Sequence, residues 1–283
     1  MAPAHDEPPD TPGSEPDPRA PGASAAPSHP WLRIDVRADG ACWLTIDRLD
    51  KHNALARPLL AALGAAVREL GARPELRCLV VTGAGERYFA AGGDLRELAR
   101  VRDEASVLAM AQEAGDALEA IRQCPVPVVA LLNGDALGGG AELALACDMR
   151  LLAPHARIGF IQARLALTSA WGGGPDLFRL VGPSRAVRMM ARAELVGAEQ
   201  ALAWGLADGV VRDGPDGEDA RAFLQPLLGC APQVLRGIKA QAIASREAGG
   251  WAAHRDVERG HFVRTWLHAD HWAVADRILD KGG

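Results

Sequence analysis

Asn133-Gly134-Asp135-Ala136-Leu137-Gly138-Gly139-Gly140-Ala141-Glu142 is the stretch on which the reading of this chain turns. Before it runs Pro125-Val126-Pro127-Val128-Val129-Ala130-Leu131, an apolar run with the length and β-branched content of a buried strand. After it comes Leu143-Ala144-Leu145-Ala146-Cys147-Asp148, small and apolar enough for a short buried helix. Three glycines therefore open a helix directly after a strand. The first turn of a helix has N–H groups without intrahelical acceptors and carries the positive end of the helix dipole, so such an opening can hold an anion. Glu142 falls in that turn among apolar neighbours. Burying a carboxylate there is unfavourable unless it has a partner or a task. An acid that only complements the helix dipole is the other reading, and both stand at this point.

A second glycine segment lies upstream: Phe89-Ala90-Ala91-Gly92-Gly93-Asp94-Leu95. Side chains this small let a backbone come close to a ligand. Other phosphate and nucleophile motifs are excluded. No Gly-Lys-Ser/Thr follows either segment, no GxGxxG follows a first strand, and no GxSxG elbow occurs.

Working outward, Trp31–Val36 and Cys42–Ile46 flank the turn signal Ala38-Asp39-Gly40 and read as a hairpin. Leu55, Leu59, Leu60, Leu63, Val67 and Leu70 recur at helical spacing. Residues 77–83 read as a buried strand, 103–122 as a helix, 149–152 and 158–160 as short strands, and 209–211 as a last one. The chain from Pro175 on is mostly helical. Strands alternating with helices, followed by a helical end, give an α/β or α+β body with a helical C-terminal extension.

The 283 residues are 48% hydrophobic, ample for one sizeable core. The net charge is −5 and no basic stripe is visible, which argues against a nucleic-acid surface. No apolar run approaches the ~18 residues of a membrane span. Residues 1–29 are rich in Pro, Ala, Ser and acids and read as a disordered tail, without the basic start and apolar block of a secretory signal. The five cysteines are scattered, without CxxC spacing, and read as reduced buried thiols in a cytoplasmic protein. The eight histidines make no ligand spacing, so no metal is expected, and His268 and His271 read as surface residues.

The two glycine segments, together with their separation in the chain, resemble the paired signatures of the crotonase (enoyl-CoA hydratase/isomerase) superfamily, and Asp50-Lys51-His52-Asn53-Ala54-Leu55 resembles its first CoA-contact loop. The resemblance covers roughly residues 31–281. It implies a spiral core of repeated ββα units over 30–215, and a helical region over 216–283 that closes the CoA pocket and mediates assembly as a homotrimer or hexamer. It implies an acyl-CoA substrate, with coenzyme A entering as part of it and no permanently bound cofactor. It implies an oxyanion hole made by the N–H groups of Gly93 and Gly139, with Glu142 beside the reacting carbon. Lys51, Ala54, Ala91, Asp94 and Leu95 fall on substrate-contacting segments, and Arg48, Arg87 and Arg96 are candidate partners for the CoA phosphates. Where hydratases of the family carry a second glutamate, ungapped alignment puts Gln162, and an amide does not exchange a proton near neutral pH as a carboxyl does.

Trp171 in Ser169-Ala170-Trp171-Gly172-Gly173-Gly174 also resembles the ethylmalonyl-CoA/methylmalonyl-CoA decarboxylase branch, as do Glu258, Arg264-Thr265-Trp266 and the tail through Lys281. Gln162 and Arg164 depart from that branch. The activity so implied is decarboxylation of a short 2-carboxyacyl-CoA, with Trp171 shaping the acyl pocket. The alternatives are an enoyl-CoA hydratase or isomerase, and a non-catalytic CoA-binding or RNA-associated member of the fold.

Overall fold

The computed structural model describes residues 29–247, 255, 259, 260, 262, 263 and 265–280. The expected N-terminal tail up to residue 28, and Glu258, Arg264 and Lys281, lie outside the described residues.

The opening hairpin pairs β1 (Leu32–Val36) with β2 (Ala41–Ile46) antiparallel, Leu32 opposite Ile46 and Val36 opposite Cys42. From β2 the sheet continues in parallel through β3 (Cys78–Gly83), β5 (Val128–Leu132), β7 (Met149–Leu152) and β10 (Gly209–Val210). Every residue of β3 and β5 is buried, as expected for continuous apolar runs covered on both faces. A second sheet stands beside it in the order β4 (Tyr88–Ala90), β6 (Asp135–Leu137), β8 (Arg157–Gly159) and β9 (Val196–Gly197). Of these, the expected strand at 158–160 corresponds to β8. The other three are too short to show a period of two and were not foreseen.

After the opening hairpin and α1 (Arg57–Gly71), three successive turns of the chain have the same form. A strand of the large sheet leads to a strand of the small sheet and then to a helix: β3, β4, then α2 (Leu95–Leu98) and α3 (Glu104–Arg122); β5, β6, α4 (Gly139–Ala146); β7, β8, α5 (Gly173–Ala191). This is the repeated ββα spiral. The entry to β4 is fixed by side chains. Asn53 Nδ2 donates to the Ala84 and Tyr88 carbonyls at 3.0 and 2.8 Å. Asn133 Nδ2 donates to Gly85 O at 2.8 Å, and its Oδ1 accepts from Gly83 N at 2.8 Å. Both asparagines are buried, so the loop entering β4 has one conformation.

α1 (Arg57–Gly71) buries Leu59, Leu63, Val67 and Leu70 and packs on α3 through Gly64, where a Cβ would stand 3.1 Å from Ala117 Cα. α5 is two helices joined at Gly182, whose φ of 75° and ψ of 164° precede Pro183. Further on come α6 (Ala198–Ala203), α7 (Glu218–Gly229), α8 (Pro232–Glu247) and a final helix, Ala269–Asp280. The ammonium of Lys239, 2% exposed, anchors α8 on Asp148 beyond the end of α4. His268 is exposed, but His271 is not a surface residue. It is fully buried, because its helix packs the ring against Trp266 and Trp272. No helix of the described residues is long and apolar enough to cross a membrane.

Candidate active site

The β4–α2 and β6–α4 connections meet backbone to backbone. A Cβ at Gly140 would stand 2.1 Å from Ala90 O, and one at Gly92 would stand 3.0 Å from Leu137 O and 3.5 Å from Gly139 N. Glycine is required because the partner surface is main chain, which cannot yield. Gly93 lies across from Leu55 in an isolated parallel bridge: Leu55 N donates to Gly92 O at 2.8 Å, and Asp94 N to Leu55 O at 3.4 Å. In such a bridge the N–H of the middle residue points to the opposite edge. Gly139 is the first residue of α4, ahead of that helix's first internal donor, Glu142 N to Gly138 O at 3.1 Å. Neither N–H, of Gly93 or of Gly139, has an acceptor among the described residues.

Both glycines border one cavity of ≈ 310 Å³. Ala91, Leu95, Glu142, Gln162 and Trp171 border it as well. The remaining wall is chiefly apolar: Leu98 and Met110 on one side, Leu165 and Leu167 on another, and Phe262, Trp266 and Ile278 from the C-terminal segment. The Trp171 ring touches both glycines. A Cβ at Gly139 would fall 2.5 Å from its Cη2 and 2.1 Å from its Cζ3, and a Cβ at Gly93 would fall 3.5 Å from the same Cη2.

Glu142 is 2% exposed, and its oxygens are engaged by N–H donors. Oε2 accepts from Trp171 N at 2.8 Å and Gly173 N at 3.1 Å, and Oε1 accepts from Gln162 Nε2 at 3.0 Å. An ionised carboxylate only accepts, so Gln162 must turn its NH₂ toward Glu142. That leaves Gln162 Oε1 buried without a partner at the cavity, as is Thr168 Oγ1. Glu142 is the one carboxylate among the described residues bordering the cavity.

Other expected site residues lie elsewhere. Lys51 is exposed on a 3-10 turn and Ala54 follows it; neither borders the cavity. Asp94 does not border it either. Its carboxylate caps α2, accepting from Arg96 N and Glu97 N at 3.1 and 3.3 Å, and pairs with Arg48 Nη1 at 2.7 Å. Burial pushes the Asp94 carboxyl up, but the Arg48 hydrogen bond and the two α2 amides outweigh it and hold the group below its ordinary value. Arg48, counted from the sequence as a phosphate partner, is thus committed to Asp94 and to the face of Trp31. Sequence reasoning missed Leu98, Met110, Phe262 and Ile278 as cavity residues, because apolar side chains on helices carry no mark that separates a pocket wall from core; it also missed Thr168, a loop hydroxyl that falls in no motif. Among the described residues, no cluster of His, Cys, Asp and Glu could hold a metal ion.

The model of the enoyl-CoA hydratase/isomerase family matches residues 37–275. Ethylmalonyl-CoA decarboxylase of Gallus gallus is 31% identical over 238 residues, spanning 83% of this chain and 79% of the relative. Carnitinyl-CoA dehydratase of Salmonella typhi is 33% identical over 217 residues, spanning 77% and 82%. Among solved structures, Pseudomonas aeruginosa DspI superimposes with a TM-score of 0.74 at 32% identity, over 86% of this chain and 98% of that one. An enoyl-CoA hydratase/isomerase from Xanthobacter autotrophicus Py2 superimposes with a TM-score of 0.83 over 90% and 95%, at 22% identity, a likeness of fold alone.

Proposed function

The chain belongs to the enoyl-CoA hydratase/isomerase family, and from that premise we propose that it decarboxylates a short 2-carboxyacyl-CoA of the methylmalonyl- or ethylmalonyl-CoA type. The observation that carries this reading is the Glu142–Gln162 pair. Hydration of an enoyl-CoA by this family's route needs two carboxyl groups, and among the described residues the cavity wall offers Glu142 alone, with Gln162 donating to it. Loss of CO₂ needs no base. The bond from C2 to the carboxylate breaks, its electron pair forms the C1–C2 double bond of the enolate, and negative charge moves onto the thioester oxygen. The Gly93 and Gly139 N–H groups receive that oxygen. Two fixed donors stabilise charge that exists only as the reaction proceeds, and the loss of one such donor typically slows catalysis by about 10²–10³.

The enolate then takes a proton at C2. Glu142, held at the cavity by the N–H groups of Trp171 and Gly173 and by the Gln162 amide, either orients the departing carboxylate or, once it has taken up a proton from solvent, passes that proton to C2. The apolar wall keeps water from the reacting carboxylate, and Trp171 bounds the acyl group. Lys51, Arg87 and Arg96, all exposed on the segments flanking the site, are the cations for the CoA phosphates. Self-assembly as a trimer or hexamer belongs to the same reading.

Mass spectrometry of a panel of acyl-CoAs incubated with the protein tests it. Ethylmalonyl- and methylmalonyl-CoA are expected to lose CO₂ faster than crotonyl-CoA gains water. Hydration outpacing decarboxylation would move the assignment to a hydratase.

A further inference from the structure

Whatever fixes the Trp171 backbone also fixes the indole that covers both glycines. Residues 171–173 lie between two buried charges. On one side Glu142 Oε2 accepts from Trp171 N and Gly173 N. On the other stands Arg122, the last residue of α3, 1% exposed. Its Nη2 donates to Trp171 O at 3.3 Å. Its Nε and Nη2 both reach Asp176 Oδ2 at 2.9 Å, and Asp176 is itself 5% exposed in the first turn of α5. Gly172, between the two charges, has a φ of 89°, and a Cβ there would stand 2.9 Å from Arg122 Nη2. The turn thus has no room to move toward the guanidinium.

Stability is a poor reason for this arrangement. A buried ion pair can usually be replaced by well-packed apolar residues at little cost. Geometry is a better one. A guanidinium has five donors in a rigid fork and can hold a carboxylate and a carbonyl at the same time, whereas an ammonium is a single point of charge. The fork joins α3, α5 and the Trp171 turn.

We propose that Arg122, oriented by Asp176, is a positioning residue that sets the Trp171 indole against Gly93 and Gly139 and so defines the floor of the acyl pocket. Its effect on turnover rests on the reading of those glycines as the thioester site; its effect on the indole does not. Two variants separate position from folding. Arg122→Lys keeps a charge beside Asp176 but loses the fork. The double variant Arg122→Met, Asp176→Leu removes the pair without stranding either charge.

The seven tryptophans are labelled as 5-fluorotryptophan, and the Trp171 signal is assigned with Trp171→Phe. In both variants the Trp171 fluorine resonance is expected to shift or broaden while binding of free CoA, measured by calorimetry, stays unchanged. Turnover of ethylmalonyl-CoA falls by about tenfold or more, as expected for small displacements at a reacting centre, with the loss in kcat rather than KM. Folded variants whose Trp171 resonance and turnover both match the wild type overturn the proposal. If the wild type turns over no 2-carboxyacyl-CoA, the functional reading fails and the fluorine resonance alone decides: moved upholds the positioning role, unmoved overturns it.

Discussion

On one side of the cavity, residues 90–93 and 137–140 approach main chain to main chain, and a methyl added at Gly139 or Gly140 would meet another atom at 2.1 Å. On the other side stand Phe262, Trp266 and Ile278, side chains on helical segments that reach the cavity from the C-terminal end. That side is attached by a few hydrogen bonds: Trp266 Nε1 donates to Val101 O at 2.7 Å, and His271 Nδ1 to Leu165 O at 2.7 Å. The first wall leaves little room to move, because at Gly140 the opposing surface is backbone and at Gly139 it is the Trp171 ring. The second can exchange side chains of similar volume, as apolar surfaces do. Under the proposed reading, chemistry that needs fixed donors belongs on the first, and the shape of the acyl group is set by the second.

Gly139→Ala should have the largest effect, since the methyl would displace the Trp171 ring from the donor wall. A fall in kcat/KM of about 10²–10³ is expected, read by the same mass spectrometric assay with circular dichroism to confirm folding. Wild-type turnover in this variant would mean that the tight wall is not where the reaction occurs.

A milder change is expected from Trp266→Phe on the opposite wall. It loses the hydrogen bond to Val101 and some apolar area, but touches neither glycine. KM should rise by roughly threefold to tenfold with kcat little changed, the pattern of lost uniform binding. A large loss of kcat would erase the contrast between the walls.

The smallest effect is one of pH. Burial lowers the pKa of His271 below 6.5, helped by Arg102 and opposed by the Leu165 hydrogen bond and by Asp276. A carbonyl only accepts, so Nδ1 carries the proton of the neutral ring; Nε2 is buried without a partner. As pH falls through the ordinary histidine range, the unfolded segment takes a proton that the folded one resists, so this contribution to stability is present near neutrality and fades toward acid. Amides of 269–280 should exchange faster with solvent at pH 5.5 than at pH 7.5, after correction for intrinsic rates, while those of 137–146 keep their protection. Equal behaviour of the two segments would contradict the separate attachment of the outer wall.

The same contrast governs what was legible in the sequence. Helix α1 could be read from helical spacing, the hairpin from its turn signal, and the central strands β3 and β5 of the large sheet from apolar runs buried on both faces. The close approach of the two glycine segments could be read because glycine is demanded there and few other arrangements place so many together. Gln162 was placed by its distance from Trp171 along the chain, and the structure sets it against Glu142. Three of the four strands of the small sheet escaped notice, being two or three residues long, and β4 is held by Asn53 and Asn133 rather than by a pattern of its own. Long-range charge pairing was also invisible: Arg48 looked like a surface cation until Asp94 stood beside it, and His271 looked exposed until the two tryptophans enclosed it. The outer wall is written in Phe, Trp and Ile, which serve equally as core.

Infrared difference spectroscopy of bound butyryl-CoA, carrying ¹³C at the thioester carbonyl, tests the central claim most directly. Two N–H donors on one oxygen weaken that double bond, so the carbonyl stretch should move to lower wavenumber on binding, and Gly139→Ala should reverse most of the shift. A stretch at the same wavenumber as in free solution, with the ligand demonstrably bound, would contradict the account.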